Sequence, residues 1–400
     1  MSSASTGPKS LASWPSYSDA EIDAVRAVLA SGKVNYWTGE QGRKFEQEYA
    51  DYVGVAHAIV LSNGSVALEL ALRALEIQPG DEVIVTSRSF IASASSIVLC
   101  GAAPVFADVD ADSQNVTAET IAAKITPSTR AIILVHLAGW PCDMEPILEL
   151  AEQHDLKVIE DCAQAHGARY QGRPVGSFGH MAAFSFCQDK IMTTGGEGGL
   201  LVTNSEALWN RAWSYKDHGK SHAAVYCGDQ DSGSAFRWVH ESFGSNFRMT
   251  EMQAAIGRIQ LGLLDDWVRR RRANAHILIE QLADLPALRI PVPDERTYHA
   301  YYKFYVFVAP DALHPDWSRD RIIDAVRARN VPCFGGSCSE IYREKAFVDS
   351  AFRQPSPLPV AHELGDTSLM FLVHPTLNNA DMLHMSSVIR DVVQSAQARQ

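Results

Sequence analysis

Three short stretches carry residue types that can do chemistry together. In FSFCQDKIMTTGGEGG (184 to 199) a single lysine, Lys190, stands between an apolar run and a glycine-dense turn. A lysine at the mouth of a sheet, desolvated and near other cations, keeps part of its amine unprotonated and can form an imine with an aldehyde. In KVIEDCAQAHGA an apolar run ends in Glu160 and Asp161. A carboxylate there is costly to bury unless a cation or donor meets it, and a protonated pyridine nitrogen is one such partner. Gln164, three residues on, can reach the same ligand. In SNGSVALEL, Gly64 permits a tight turn, and the free N–H groups of a first helical turn form a phosphate cradle with the Ser65 hydroxyl. Each stretch also has a plainer reading: a solvated lysine, a strand-end acid, and an N-capped helix that binds nothing.

The elements that must position these groups are legible as periodicity. Short β-branched runs at 58 to 61, 82 to 86, 104 to 109, 131 to 137, 157 to 161, 182 to 186 and 199 to 204 read as strands. Helix-period stretches such as SVALELALRALEI and DMEPILELAEQH alternate with several of them, which predicts an α/β domain built on a mostly parallel sheet. Ligands of such sheets sit beyond the carboxyl ends of the strands, where all three stretches fall. The order phosphate cradle, strand-end Asp161, then Ser185 five residues before Lys190 is the order that a pyridoxal phosphate site requires. At 400 residues the chain is longer than one core organises. We expect a disordered polar segment over 1 to 12, a large domain over 13 to 270 and a smaller α+β domain over 271 to 400.

Composition removes several classes of function. A formal charge of −12 repels polyanions, so nucleic acid is not an expected partner. No run of about 18 apolar residues and no signal-peptide pattern is visible, which points away from membranes and export. Seven cysteines without a Cys-x-x-Cys pair suit reduced thiols in a cytoplasm. Cys162 and Cys187 read as small buried hydrophobes, and PCFGGSC (332 to 338) is a poor zinc motif, so no metal is expected. Most of the basic run RRRR (269 to 272) reads as a solvated helix face, the alternative being a substrate or interface role for one or more of the four. No Gly-x-Gly-x-x-Gly follows a strand, which argues against a nicotinamide enzyme.

Taken together, SNGSVALELALRAL, PGDEVIVTSRSFIASASS, GAAPVFADVD, VHLAGWPCDM, VIEDCAQAHGA, FSFCQDKIMTTGGEGG and GSNFRMTEMQAAIGRIQL resemble, in this order, the sugar aminotransferases of the DegT/DnrJ/EryC1/StrS family. The resemblance implies the aspartate aminotransferase fold (fold type I), pyridoxal 5′-phosphate as cofactor and a homodimer with shared active sites. It implies that Lys190 holds the cofactor as an imine, Asp161 keeps its pyridine nitrogen protonated, and Gln164 lies near its phenolic oxygen. Gly64, Ser65 and Ser185 would contact the phosphate, Phe90 would lie against the ring, and Asn246 would reach the phosphate from the neighbouring subunit. The implied reaction moves an amino group from an amino acid, L-glutamate, to a nucleotide-linked 3- or 4-keto hexose in polysaccharide, glycan or glycosylated-metabolite synthesis. A family branch with His in place of the lysine acts as a sugar dehydratase, and Lys190 argues against it. A binding or regulatory protein on the same scaffold is the other alternative. Many relatives carry one glycine before Glu-Gly-Gly, whereas this chain has Gly195 and Gly196. Trp37, His218, Tyr301 and Tyr302 fall where relatives contact substrate or are packing aromatics.

Overall fold

The structure, a computed structural model, describes residues 11 to 226 and 238 to 397. Most of the polar N-terminal segment lies outside them, while Leu11 packs on the C-terminal core. Seven strands form the main sheet: β1 (His57–Leu61), β2 (Glu82–Thr86), β3 (Ala103–Ala107), β4 (Thr129–Val135), β5 (Lys157–Asp161), β6 (Met181–Ser185) and β7 (Gly199–Thr203). Their order is β1-β7-β6-β5-β4-β2-β3. Only β7 runs against its neighbours, and the other adjacent pairs are parallel. The mostly parallel sheet is therefore as the sequence predicts. Helices cover both faces, which is why Val83, Ile84, Val85, Ile132, Ile133, Val158 and Ile159 are all buried and their strands lack alternation.

Two predicted strands end early. Asp108 leaves β3 to accept the N–H groups of Val360 and Ala361, and Leu137–Gly139 turns into a 3₁₀ segment after β4. A second, antiparallel sheet has β8 (Leu288–Arg289), β9 (Phe304–Val308) and β10 (Ser368–Phe371), with β9 central. Its core includes Val306, Ile322, Leu369, Met385 and Ile389.

A helix of 32 residues, Glu251–Leu282, reaches from one sheet to the other and spans about 48 Å. Thr250 caps it: its hydroxyl accepts the Gln253 N–H, and the Gln253 side chain answers to the Thr250 N–H. The predicted division at 270 falls inside this helix. The basic run does not form the solvated face expected of it. Arg269 alone is exposed, paired with Asp266. Arg270 donates to the Leu377 carbonyl, Arg272 to that of His299, and the fully buried Arg271 to that of Tyr302. Carbonyls of distant turns thus take up three of the four guanidinium groups. No described helix is long and apolar enough to cross a membrane.

Candidate active site

Successive residues of a strand face opposite sides of its sheet, and β5 uses this to separate its two acids. Glu160, wholly buried, turns one way, where the His136 Nε2–H and the backbone N–H groups of Gly176, Phe178 and Gly179 satisfy it. Burial alone would raise its pKa, but the His136 side chain and these amides hold it below the usual carboxylate range. His136, Glu160 and Cys162 place metal-ligating atoms within 4.8 Å of one another. The histidine and the carboxylate already bond each other, and Cys142 N–H occupies the other imidazole nitrogen.

Asp161 turns the other way, into a cavity of about 940 Å³ that also receives Lys190, Gln164, Ser185, Gly64, Ser65 and Phe90. Its Oδ2 accepts from Ser93 Oγ at 2.8 Å and its Oδ1 from Ala163 N–H at 3.1 Å. Burial pushes this carboxyl above the ordinary range, against the pull of both donors and of the Lys190 charge. A cationic or proton-bearing ligand atom at Asp161 would relieve that penalty. Gln164 accepts the Ala138 N–H at 2.8 Å through its amide oxygen, which leaves the NH₂ to donate into the cavity.

The opposite end of the cavity is the cradle. Asn63 caps the helix Gly64–Ala74 by accepting the Val66 N–H at 3.0 Å, so the Gly64 and Ser65 amides are the free donors of its first turn. The loop lies directly on β7, where a Cβ on Gly199 would stand 2.2 Å from the Asn63 carbonyl oxygen. A Cβ on Gly64 would stand 2.6 Å from Ser185 Cβ. Only glycine lets the helix terminus and the Ser185 hydroxyl approach this closely. His166 fixes the end of β6 by donating from Nε2 to the Ser185 carbonyl and accepting from Tyr49 through Nδ1. Burial pushes this imidazole down to about 3, so it stays neutral.

Lys190 is half-buried, and its backbone is held at both groups: its N–H donates to the Cys187 carbonyl, and its carbonyl accepts the Trp14 indole N–H at 2.8 Å. Its Nζ lies 5.0 Å from the centre of the Tyr302 ring. The glycine turn after it has positive φ at both Gly195 and Gly196, which accounts for two glycines in series. The long helix supports that turn: Gln260 accepts the Thr193 N–H, and Gln253 donates to the Glu197 carbonyl. Phe90 is 64% exposed and lines the cavity. Cys162 is buried as expected, but Cys187 is only half-buried and lines the cavity.

Asn246 does not join the cavity formed by its own chain. It lies exposed in the loop before the long helix, where its Oδ1 accepts from Arg248 N–H. Since Thr250 is the cap of that helix, Asn246 has no capping role there. Of the four uncommitted aromatic and histidine residues, Tyr302 lines the cavity. Tyr301 stacks on His299 at 3.8 Å and Trp37 packs against Trp213 and Tyr226. His218 has positive φ, and its N–H bonds the Ser245 carbonyl. Sequence reasoning misses Ser93, His166, Asp189 and Lys303. A lysine inside the aromatic run HAYYKFY was the available signal for the last.

The residues fit pyridoxal phosphate. A glycine-gated cradle of amides and hydroxyls faces one end of the cavity, and a buried acid in need of a proton-bearing partner stands deeper in, with a lysine amine in the same space. Residues 15 to 390 match the DegT/DnrJ/EryC1/StrS aminotransferase family. The chain is 54% identical to the aminotransferase from Psychrobacter cryohalolentis, whose X-ray structure superposes with a TM-score of 0.95 over 96% of this chain and 99% of that one. GDP-perosamine synthase of Escherichia coli O157:H7 is 34% identical over 380 residues, 94% of this chain and 96% of its own. The dTDP-3-amino-3,4,6-trideoxy-alpha-D-glucose transaminase of Streptomyces venezuelae is 36% identical over 373 residues, 93% and 92% respectively. Fold, cavity and relatives agree that this chain belongs to the DegT/DnrJ/EryC1/StrS family and is a pyridoxal phosphate-dependent aminotransferase.

Proposed function

We propose that the protein transfers an amino group from L-glutamate to a nucleotide-linked keto hexose, aminated at ring carbon 3 or 4, for a surface polysaccharide, glycan or glycosylated metabolite. The observation that carries this reading is the convergence of Lys190, Asp161 and the Gly64–Ser65–Ser185 cradle on one cavity. The names of the relatives, which act on GDP- and dTDP-linked sugars, support the substrate class.

When bound, pyridoxal phosphate supplies an aldehyde that condenses with amines and a ring that draws electrons from the adjoining carbon. The Gly64 and Ser65 amides and the Ser65 and Ser185 hydroxyls would hold its phosphate. Phe90 would cover its ring, and the Gln164 NH₂ would donate to its phenolic oxygen. Asp161 would keep the proton on its pyridine nitrogen, with Ser93 and Ala163 holding the carboxylate in place for this. Lys190 would hold the group through its amine, and as a free amine its Nζ would serve as the base that takes a proton from the donor's Cα and returns one to the acceptor carbon. Asn246 of a second copy completes the phosphate site, so the working unit is a homodimer. We place it in the cytoplasm, and the six described cysteines, all free thiols, suit a reducing compartment.

The test is incubation of the purified holoenzyme with glutamate and a panel of GDP-, dTDP- and UDP-linked keto sugars, with products read by mass. Borohydride reduction and peptide mapping accompany it. The reading expects an amino sugar with release of 2-oxoglutarate, and pyridoxyl label on Lys190. Label on another lysine, or a cofactor spectrum indifferent to glutamate, overturns it.

A further inference from the structure

A second lysine enters the same cavity. Lys303 precedes the central strand β9, and its side chain is only 15% exposed. Its Nζ lies 4.5 Å from the centre of the Tyr302 ring, the same ring that the Lys190 Nζ approaches to 5.0 Å. Among the described residues that line the cavity, Lys190 and Lys303 are the two cationic side chains. The acid nearest Lys303 is Asp189, whose Oδ2 stands 3.6 Å from Nζ, longer than a good hydrogen bond. Asp189 is itself engaged by the Tyr302 hydroxyl and is more than half exposed. Behind Tyr302 the wholly buried Arg271 has two N–H positions, Nε and Nη2, with no partner. Burial and the charges of Arg271 and Lys190 push the Lys303 ammonium down to about 8, with Asp189 opposing. The other acids of the cavity are engaged elsewhere: Glu69 pairs with Arg73, Asp161 is held by Ser93, and the Glu197 carboxylate lies at the Cys187 thiol. The corner around Tyr302 thus gathers three cations about one half-exposed carboxylate, in a site that must receive an anion.

An α-amino acid carries its carboxylate on the very carbon whose amine reacts. The anionic group of a nucleotide-linked sugar instead hangs from the anomeric oxygen, across the ring from carbon 3 or 4. A cation sharing one phenol ring with the reacting lysine matches the first geometry. We propose that Lys303 is the anchor for the α-carboxylate of the amino donor, drawing away from Asp189 to accept it, with Arg271 strengthening the local positive field from behind. The proposal rests on the aminotransferase reading above and adds the residue that selects the donor. The same contact serves the oxo acid produced, which keeps that carboxylate.

The test uses the holoenzyme and the first half-reaction alone, followed by the cofactor's absorbance. Two donors are compared: glutamate, and 4-aminobutyrate, which is glutamate without its α-carboxylate. Lys303→Met should lower kcat/KM for glutamate by on the order of 10- to 100-fold, the loss of one charge-assisted hydrogen bond. The rate with 4-aminobutyrate should stay within about twofold, and Lys303→Arg should recover most of the glutamate rate. Calorimetric titration with 2-oxoglutarate gives a reading independent of turnover, and Lys303→Met should weaken that affinity by a similar factor. An equal fall for both donors would place the lysine on the distal carboxylate and overturn the assignment. So would unchanged donor kinetics with a raised KM for the sugar, or a lowered Tm with unaltered selectivity. Failure of the wild type to react with glutamate at all would instead refute the underlying reading.

Discussion

Gly64→Ala tests the cradle with a single methyl group. The new Cβ would stand 2.6 Å from Ser185 Cβ, 3.1 Å from its Oγ and 3.2 Å from its Cα. Carbon atoms in contact prefer roughly 3.5 to 4.0 Å, so the helix terminus and the end of β6 must separate by about 1 Å. Both sides are stiff: His166 ties the Ser185 carbonyl, and the Asn63 loop rests on Gly199. Overpacking of this kind costs about 1–3 kcal/mol, which should appear as a lower Tm of the cofactor-free protein. The phosphate then meets donors displaced by a sizeable fraction of a hydrogen-bond length. Losing one good charge-assisted bond adds about 1.5–3 kcal/mol, so the cofactor should bind about 10- to 150-fold more weakly. Equilibrium dialysis of the apo-protein against pyridoxal phosphate measures the affinity, and differential scanning calorimetry measures the Tm. The double variant Gly64→Ala/Ser185→Gly separates the two effects. With Cβ and Oγ gone, the remaining contact is the 3.2 Å one to Cα, so apo stability should largely return while affinity stays low for want of the serine hydroxyl. A Gly64→Ala protein with wild-type Tm and cofactor affinity within about twofold would refute the packing argument.

Asp161→Asn should retain the fold and the cofactor yet slow turnover by about two orders of magnitude or more, because a neutral amide does not hold the pyridinium proton by charge; near-normal kcat would mean that another acid faces the nitrogen. Acid should destabilise the apo-protein through three buried imidazoles, since burial pushes His166 and His299 to about 3 and His374 to about 4. An unfolded histidine titrates near 6.5, so below that pH the unfolded chain binds protons that the folded one does not, and stability is lost as pH falls. The loss is about 2 kcal/mol per group at pH 5, offset in part by Asp161, which burial holds above its ordinary value. Urea midpoints at pH 7.5 and 5 measure it, and a His166→Asn slope equal to that of the wild type would exclude His166 as a contributor. Mixing Lys190→Ala with Asn246→Ala chains should restore activity after subunit exchange, because a site shared between chains leaves one of the two sites intact; no recovery, with exchange verified by mass, would place Asn246 in its own subunit's site.

The sheet and the lysine were legible because they depend on short-range pattern. KVIED and EVIVT coincide with β5 and β2 to the residue, since both faces are covered and apolar runs end where the chain leaves the sheet. Period 2 also explains why Glu160 and Asp161, adjacent in sequence, serve different ends. What escaped depends on long-range packing. Nothing local marks Arg271 as buried while Arg269 is not, because the carbonyl that receives Arg271 comes from residue 302. Lys303 stands 113 positions after Lys190, and only the folding of the second sheet onto the first brings Lys303 and its neighbour Tyr302 to Lys190. Asn246 is a different case, for its own chain does not carry it to the cavity, and no intrachain pattern encodes a neighbour.

The long helix has a mechanical consequence. Near its start it braces the glycine turn through Gln253 and Gln260, and further along it grips residues 299 to 302 and 373 to 377 through Arg270, Arg271, Arg272 and Asn274. One rod is therefore clamped to both sides of the cavity. A sharp bend in this rod would cost hydrogen bonds of its ladder, so the helix holds the two sides of the cavity at a fixed spacing. Slack introduced mid-helix, as by a glycine at an exposed position, would loosen the spacing between Lys190 and Lys303 while touching neither.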